Sequence, residues 1–277
     1  MGALNTIMTE IKIDHQTSIS GLTRARVRQP KLMKSELFRQ TATVGGLIDK
    51  IQVSNSPTVL LGECADGLPF IIELGNPQMG AMLIGCDHGA GKTHHLQVLA
   101  ESAVRMNAPS ALQLGVITFK PGEWQSWVER PENKQHLQGI FAWYDPWAES
   151  LIKNLIALAE ARYDGRQSGA QVLLLLDDKS FIEELSYEAQ MNLHWLLEYG
   201  ARVGISLVAT INAHQAAQFR FWMQPFRTRI IGRVLDQSAA KILTQRGDSA
   251  ADGLDPSIFR VWTGAGWRTY RLPLLGD

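Results

Sequence analysis

The chain has only two cysteines, Cys64 and Cys86, in 277 residues. That excludes a disulfide-stapled fold and a cysteine-rich metal centre, and it makes a reducing, cytoplasmic setting the expected one. Neither sign of charge is in surplus: 27 Lys plus Arg stand against 27 Asp plus Glu. A whole-surface attraction for nucleic acid is therefore not expected, although a local basic face is compatible with neutrality. Long apolar runs are missing as well. The most apolar stretch, Val172 to Leu176, falls far short of the roughly 18 residues that span a bilayer, and the N-terminus lacks the apolar region of a signal peptide. Repeats and low-complexity tracts are absent from the sequence. What is present is an ordinary globular composition, 45% hydrophobic and 19% charged, in a length that suits one large α/β domain or a domain with a small appendage.

Composition changes along the chain. Residues 1–56 read as a basic N-terminal arm or small appendage, and 57–277 as the main domain. Between Lys12 and Arg39 lie Lys12, Arg24, Arg26, Arg28, Lys31, Lys34 and Arg39, opposed only by Asp14 and Glu36. A solvated arm, an arm that touches phosphates and an arm that docks on a neighbouring subunit or another protein are all open readings. From Thr58 the pattern becomes strand-like. Thr58 to Leu61 and Pro69 to Leu74 flank Asp66-Gly67, a tight-turn signal, and read as a hairpin. Ala81 to Ile84, Leu112 to Phe119, Ile140 to Trp143, Val172 to Leu176, Val203 to Thr210 and Phe226 to Val234 read as further strands. Between them, 92–106, 146–163 and 180–199 (with a break) read as helices, followed by 237–243. Phe259 to Trp262 and Trp267 to Leu272 form a second hairpin. This alternation predicts a mostly parallel α/β sheet with small β-hairpin elements.

Directly between the strand at 81–84 and the helix at 92–106 lies Gly89-Ala90-Gly91-Lys92-Thr93. This is the tail of a phosphate-binding loop in its proper strand–loop–helix context. Such a loop converges backbone N–H groups and a helix N-terminus on a polyphosphate, and its glycines let the backbone approach. The candidate nucleotide contacts are Cys86, Asp87, His88, Gly89, Ala90, Gly91, Lys92, Thr93 and His94. Lys92 is assigned to the β and γ phosphates and Thr93 to Mg²⁺. The pattern G-x-x-x-x-G-K-[ST] begins with Cys86 here, and Gly85 falls one residue early.

The strand at 172–176 delivers Asp177 and Asp178 to the tip of the sheet. Asp177 is the candidate magnesium-side carboxylate, and Asp178 the candidate general base or water-positioning group. Thr210 and Asn212 end another strand, where they face either the ligand crevice or the next helix as a cap. Arg227, Arg229 and Arg233 share one face of a strand if it runs unbroken. Phe219, Phe221, Trp222 and Phe226 read as core or subunit contact, or as a base-stacking surface.

Taken in order, these pieces resemble the FtsK/SpoIIIE/HerA group of DNA-pumping ATPases, and most of all its FtsK-type motor domain. The resemblance rests on 57–93, on Val172 to Asp178, on Gly200-Ala201-Arg202-Val203-Gly204-Ile205 with Leu207 to Thr210, on Thr228-Arg229-Ile230 and on Arg246-Gly247-Asp248. It implies a RecA-like P-loop core that binds ATP and Mg²⁺ between the subunits of a homo-oligomeric, usually hexameric, ring with double-stranded DNA in its hole. It further implies that Arg229 reaches a neighbour's phosphates as a catalytic group. The function it implies is DNA translocation, transfer or packaging. Three departures stand out: Cys86 for Gly, Asp178 for Glu, and Ile211 for a Gln. They keep a second reading open, a nucleotide-binding structural or regulatory ring subunit with weak or no hydrolysis. A small-molecule kinase would need a substrate lid, for which the sequence offers no candidate.

Overall fold

Strands buried on both faces need helices on both sides, and the apolar runs here are arranged that way. The computed structural model describes residues 22–24, 42–52, 56–245, 251, 253–263 and 266–276. In chain order they form β1 (Leu22–Arg24), α1 (Val44–Ile48), β2 (Thr58–Cys64), β3 (Pro69–Glu73), β4 (Ala81–Cys86), α2 (Lys92–Met106), β5 (Leu112–Thr118), α3 (Gln125–Val128) and α4 (Pro131–Lys134). There follow β6 (Leu137–Ala142), α5 (Pro146–Tyr163), β7 (Gln171–Asp177), α6 (Tyr187–Tyr199), β8 (Ile205–Asn212), β9 (Phe226–Ile231), α7 (Gln237–Thr244), β10 (Ile258–Trp262) and β11 (Trp267–Arg271). The strands make one sheet in the order β1-β3-β2-β11-β10-β9-β4-β8-β7-β5-β6. The larger part, β9-β4-β8-β7-β5-β6, is parallel. The smaller part is antiparallel and holds both predicted hairpins.

One apolar core lies between the sheet and α5, α6 and α7. The other lies under α2 and the segment carrying Trp124 and Trp127. In α2 the buried Leu96, Leu99, Ala100 and Ala103 recur at helical spacing, so that stripe faces the sheet. The parallel strands end side by side, which brings Cys86, Thr118, Asp177 and Asn212 to one edge of the sheet. In an open α/β sheet that edge is where ligands bind.

Most sequence-predicted elements are present within a few residues. The helical stretch expected at 180–199 is divided into a 3₁₀ turn, Lys179–Glu184, and α6, because Ser186 caps the helix from Ala189 N. The helices α3 and α4 had no sequence signature, since four-residue helices show no periodicity. Part of the 1–56 segment is built into the fold. Val44 and Leu47 of α1 are fully buried with Leu60 and Val98, and Val44 N and Gly45 N donate to Leu274 O and Gly276 O. Residues 1–21, 25–41 and 53–55 of that segment, and the Arg246-Gly247-Asp248 turn, lie outside the described residues.

The P-loop helix is also pinned from its outer face. Glu101, 2% exposed, accepts from Arg105 Nε at 2.8 Å, Trp127 Nε1 at 2.9 Å and Arg130 Nη1 at 2.9 Å. Glu101→Ala leaves the indole N–H without its acceptor and the two half-exposed arginines to water. A loss of about 2 kcal/mol is expected, read as a lower urea midpoint at unchanged m-value, with Glu101→Gln losing less.

Candidate functional site

The loop before α2 is shaped by its glycines. Gly89 has φ 73° and Gly91 φ 101°, values that side-chain-bearing residues rarely adopt. Gly91 sits at the N-cap of α2 with no side chain capping the helix. By contrast Asp145, Ser186 and Asp236 each cap a helix, α5, α6 and α7 respectively. The first amides of α2 are thus left for an external anion, at the positive end of a 15-residue helix. Lys92 Nζ folds back to donate to Asp87 O at 3.0 Å and Cys86 O at 3.4 Å.

The structure brings Thr93 and Asp177 together. Thr93 Oγ1 lies 3.2 and 3.1 Å from the two carboxylate oxygens of Asp177. Thr118 Oγ1 donates to Asp177 Oδ2 at 3.2 Å, and Thr210 Oγ1 to Oδ1 at 3.3 Å. Three hydroxyls from α2, β5 and β8 therefore converge on one carboxylate that is 7% exposed. Burial raises its pKa above the ordinary carboxylate value, while the threonine hydrogen bonds pull it back down. A divalent cation would favour the ionised form. The donor set fits magnesium, a hard ion that takes oxygen ligands and keeps waters and phosphate oxygens in its shell. A cluster of three His, Cys, Asp or Glu is absent among the described residues, and a P-loop magnesium does not require one.

Asp178 leaves β7 with φ 70°. Two groups of β8 hold it there: Asp178 N donates to Thr210 Oγ1 at 2.7 Å, and Asn212 Nδ2 donates to Asp178 Oδ2 at 3.1 Å. Asn212 thus faces the acid pair; a 3₁₀ turn (Ala213–Gln215) begins beside it without a side-chain cap. Thr118 went unread in the sequence, although it follows the same rule as Thr210: a lone hydroxyl at the C-terminal end of an apolar strand.

The remaining predicted contacts divide. Ala90 is buried, and His88 is exposed. His94 is half-buried, with Nε2 2.8 Å from Pro273 O. Asp87 bonds to protein: its N–H donates to Arg233 O, and its Oδ2 accepts from Leu235 N at 2.9 Å. Cys86 is fully buried, and burial pushes its thiol up to about 11. Its backbone carbonyl accepts from Lys92 Nζ. Its φ is not positive, so this position does not demand glycine. Gly85 has its own reason: a Cβ there would lie 2.9 Å from Leu243 Cδ2 of α7.

Arg229 is a correction. The expected reach to a neighbour's phosphates is not available to it in this structure. It is 5% exposed, and its guanidinium donates to Met223 O at 2.6 Å and Leu243 O at 3.0 Å. Burial holds its pKa down to about 10. The three arginines do not share a face either. A register shift opposite Ala81–Met82 breaks the alternation, Arg227 is exposed, and Arg233 lies past the strand end. The Phe219, Trp222 and Phe226 cluster is buried in the core, with only Phe221 exposed.

This geometry is that of a P-loop nucleotide fold, and solved structures agree. The chain is similar to Thermomonospora curvata EccC ATPases 2 and 3 in complex with a signal sequence peptide, with a TM-score of 0.64 at 17% identity, over 81% of this chain and 42% of that one. It is similar to EssC ATPases 2 and 3 from Geobacillus thermodenitrificans, with a TM-score of 0.65 at 15% identity, over 88% and 48%. It is also similar to the pCW3 conjugation coupling protein TcpA, in a monomer form with ATPγS, with a TM-score of 0.62 at 15% identity, over 91% and 77%. The chain thus spans less than half the length of the EccC and EssC chains. No family model matches the sequence, and no curated protein does. At these identities the likeness establishes the fold alone, the one that the EccC, EssC and TcpA structures share.

Two stability measurements probe the acid pair. Asp177→Asn removes a buried charge whose ionised form the fold disfavours. It should raise the melting temperature of the nucleotide-free protein, by more as the pH rises and the buried carboxyl is asked to ionise, and abolish any rise caused by Mg²⁺ with nucleotide. At position 178, where φ is positive, Asp178→Gly should be more stable than Asp178→Ala by about 1 kcal/mol, read from urea midpoints; equal midpoints would remove the argument from backbone strain.

Proposed function

We propose that this chain is the ATP-hydrolysing subunit of a homo-oligomeric, six-membered ring motor that moves double-stranded DNA in transfer or packaging. The observation that carries the reading is the meeting of Thr93 with Asp177 beside an uncapped P-loop helix, because a Mg²⁺–triphosphate needs those groups in one place. The fold shared with EccC, EssC and TcpA supports it.

In this reading each residue has a role. The amides around Gly89, Gly91 and the start of α2 receive the phosphates. Lys92 exchanges the carbonyls of Cys86 and Asp87 for phosphate oxygens, a stronger charge-assisted contact. Thr93 and Asp177 would hold Mg²⁺, which when bound neutralises charge developing on the phosphates. Thr118 and Thr210 keep the Asp177 carboxylate oriented. Asp178 is positioned to accept a proton from an attacking water, and Asn212 and Thr210 fix where its carboxylate lies. The basic stretch of residues 12–39 brings local positive charge, suited to DNA or a protein partner, to a neutral chain.

A second reading has its own observation. Asp178 is one methylene shorter than Glu, and Asn212 occupies one of its oxygens. A base set back by about 1 Å costs on the order of 100-fold in rate, which would leave a subunit that binds ATP and turns it over slowly.

Steady-state ATPase with and without long duplex DNA tests the motor reading. Stimulation of several-fold that fades with added salt is expected, and a rate indifferent to DNA contradicts it. Asp178→Glu separates the two readings. A rise in kcat on the order of 10- to 100-fold marks a detuned site, whereas an unchanged or lower kcat points away from one.

A further inference from the structure

Away from the nucleotide site lies a groove of about 590 Å³ between the N-terminal ends of α5 and α6. One wall is the Trp143–Pro146 turn after β6, and the other is the Glu184–Ala189 segment entering α6. Its surroundings are aromatic and exposed: Tyr144 is 68% exposed, Trp147 66% and Tyr187 77%. Its lining is acidic, with Asp145, Glu149, Glu184 and Glu188 against Lys153. Asp145 and Glu149 are engaged in capping α5 and in holding Ser186, whereas Glu184 and Glu188 are exposed. Exposed aromatics beside carboxylates suit a segment that alternates cationic and apolar side chains.

The chain contains such a segment. Residues 25–41 hold Arg26, Arg28, Lys31, Lys34 and Arg39 against Glu36, interleaved with Leu32, Met33, Leu37 and Phe38. Counted over the whole chain, 27 basic and 27 acidic residues cancel, so a basic stretch leaves the remainder acidic. Neutrality here is a basic segment plus an acidic body.

Reach decides which groove it meets. The segment is pinned at both flanks, by β1 on the edge strand β3 and by α1 under β2. Seventeen residues tethered at both ends extend outward by at most about 30 Å. The groove lies near β7 and β6, eight to ten strand spacings from β1, roughly 40–50 Å at the usual inter-strand distance. A molecule's own groove is out of range, and the two surfaces sit at opposite ends of the sheet.

We propose that segment 25–41 of one copy docks in the aromatic and acidic groove between α5 and α6 of the next, as a head-to-tail contact. Such an interface closes into a ring or runs on as a filament. It deepens the ring part of the function proposed above and rests on that reading only for its purpose. It also bears on the acid pair, because Trp143 N in the groove wall donates to Thr118 O at 3.1 Å and Thr118 holds Asp177.

Charge reversal in full-length protein tests this by sedimentation velocity at low salt without nucleotide. Glu184→Lys/Glu188→Lys alone, and Lys31→Glu/Lys34→Glu alone, should each shift self-association to at least 10-fold higher concentration. An equimolar mixture of the two should restore it, since every arm then meets a groove of opposite sign. A synthetic 25–41 peptide should dissociate the wild-type assembly, and its charge-reversed counterpart should not. Reversed chains that assemble like wild type, a mixture that stays apart, a wild type that never associates, or an assembly indifferent to the peptide each overturn the proposal; in the last case the groove serves another ligand. The peptide arm holds even if a variant fails to fold. Calorimetry of Mg²⁺–ATP on the Glu184→Lys/Glu188→Lys variant separates this outcome from failure of the nucleotide site, because those residues lie outside it and affinity should be unchanged.

Discussion

One buried carboxylate organises the C-terminal edge of the parallel strands. Asp177 receives hydroxyls from Thr93, Thr118 and Thr210, and so ties the P-loop helix to two strands that flank its own. A carboxylate so deeply buried is costly unless hydrogen-bonded, and burial raises its pKa even with those three partners. The fold thus keeps a ligand-ready group at some expense of stability, as functional sites commonly do. Around it the strand order matters: β8 lies between β4 and β7, so a single strand end, Thr210 to Asn212, reaches both carboxylates of the acid pair.

Much of this was legible in the sequence because its signals are local. The Gly89–Thr93 tail, the apolar runs and their terminal polar residues specify strand ends and a helix start without reference to distant residues. Thr93 and Asp177 lie within hydrogen-bond distance because the loop before α2 and the acid-tipped β7 share one edge of the same parallel sheet. Thr118 was missed because one threonine at a strand end has no distinctive context until the strand order is known. The short helices α3 and α4 and the docking of α1 depend on tertiary packing alone. Arg229 was misread for the same reason. A charged residue in a strand suggests exposure or a partner subunit, but the carbonyls that satisfy it, Met223 O and Leu243 O, come from segments that pattern alone does not bring near.

The departures from the family pattern acquire physical meanings. Cys86 replaces a glycine at a position whose backbone does not need one, and its side chain fills the interior beside Gly232, where a Cβ would lie 2.9 Å from its own. Gly85, out of register for the motif, leaves room for Leu243 of α7. Ile211 is fully buried, and the polar group presented to the acid pair is its neighbour, Asn212. Asp178 is held with positive φ by two bonds from β8.

The most direct test of the central claim is isothermal titration of ATP into the purified, folded protein with Mg²⁺ and again with the metal chelated. Saturable binding that weakens by an order of magnitude or more without the metal is the predicted result, since Thr93 and Asp177 can share a cation only alongside the phosphates. An absence of ATP affinity, or affinity indifferent to Mg²⁺, would contradict it.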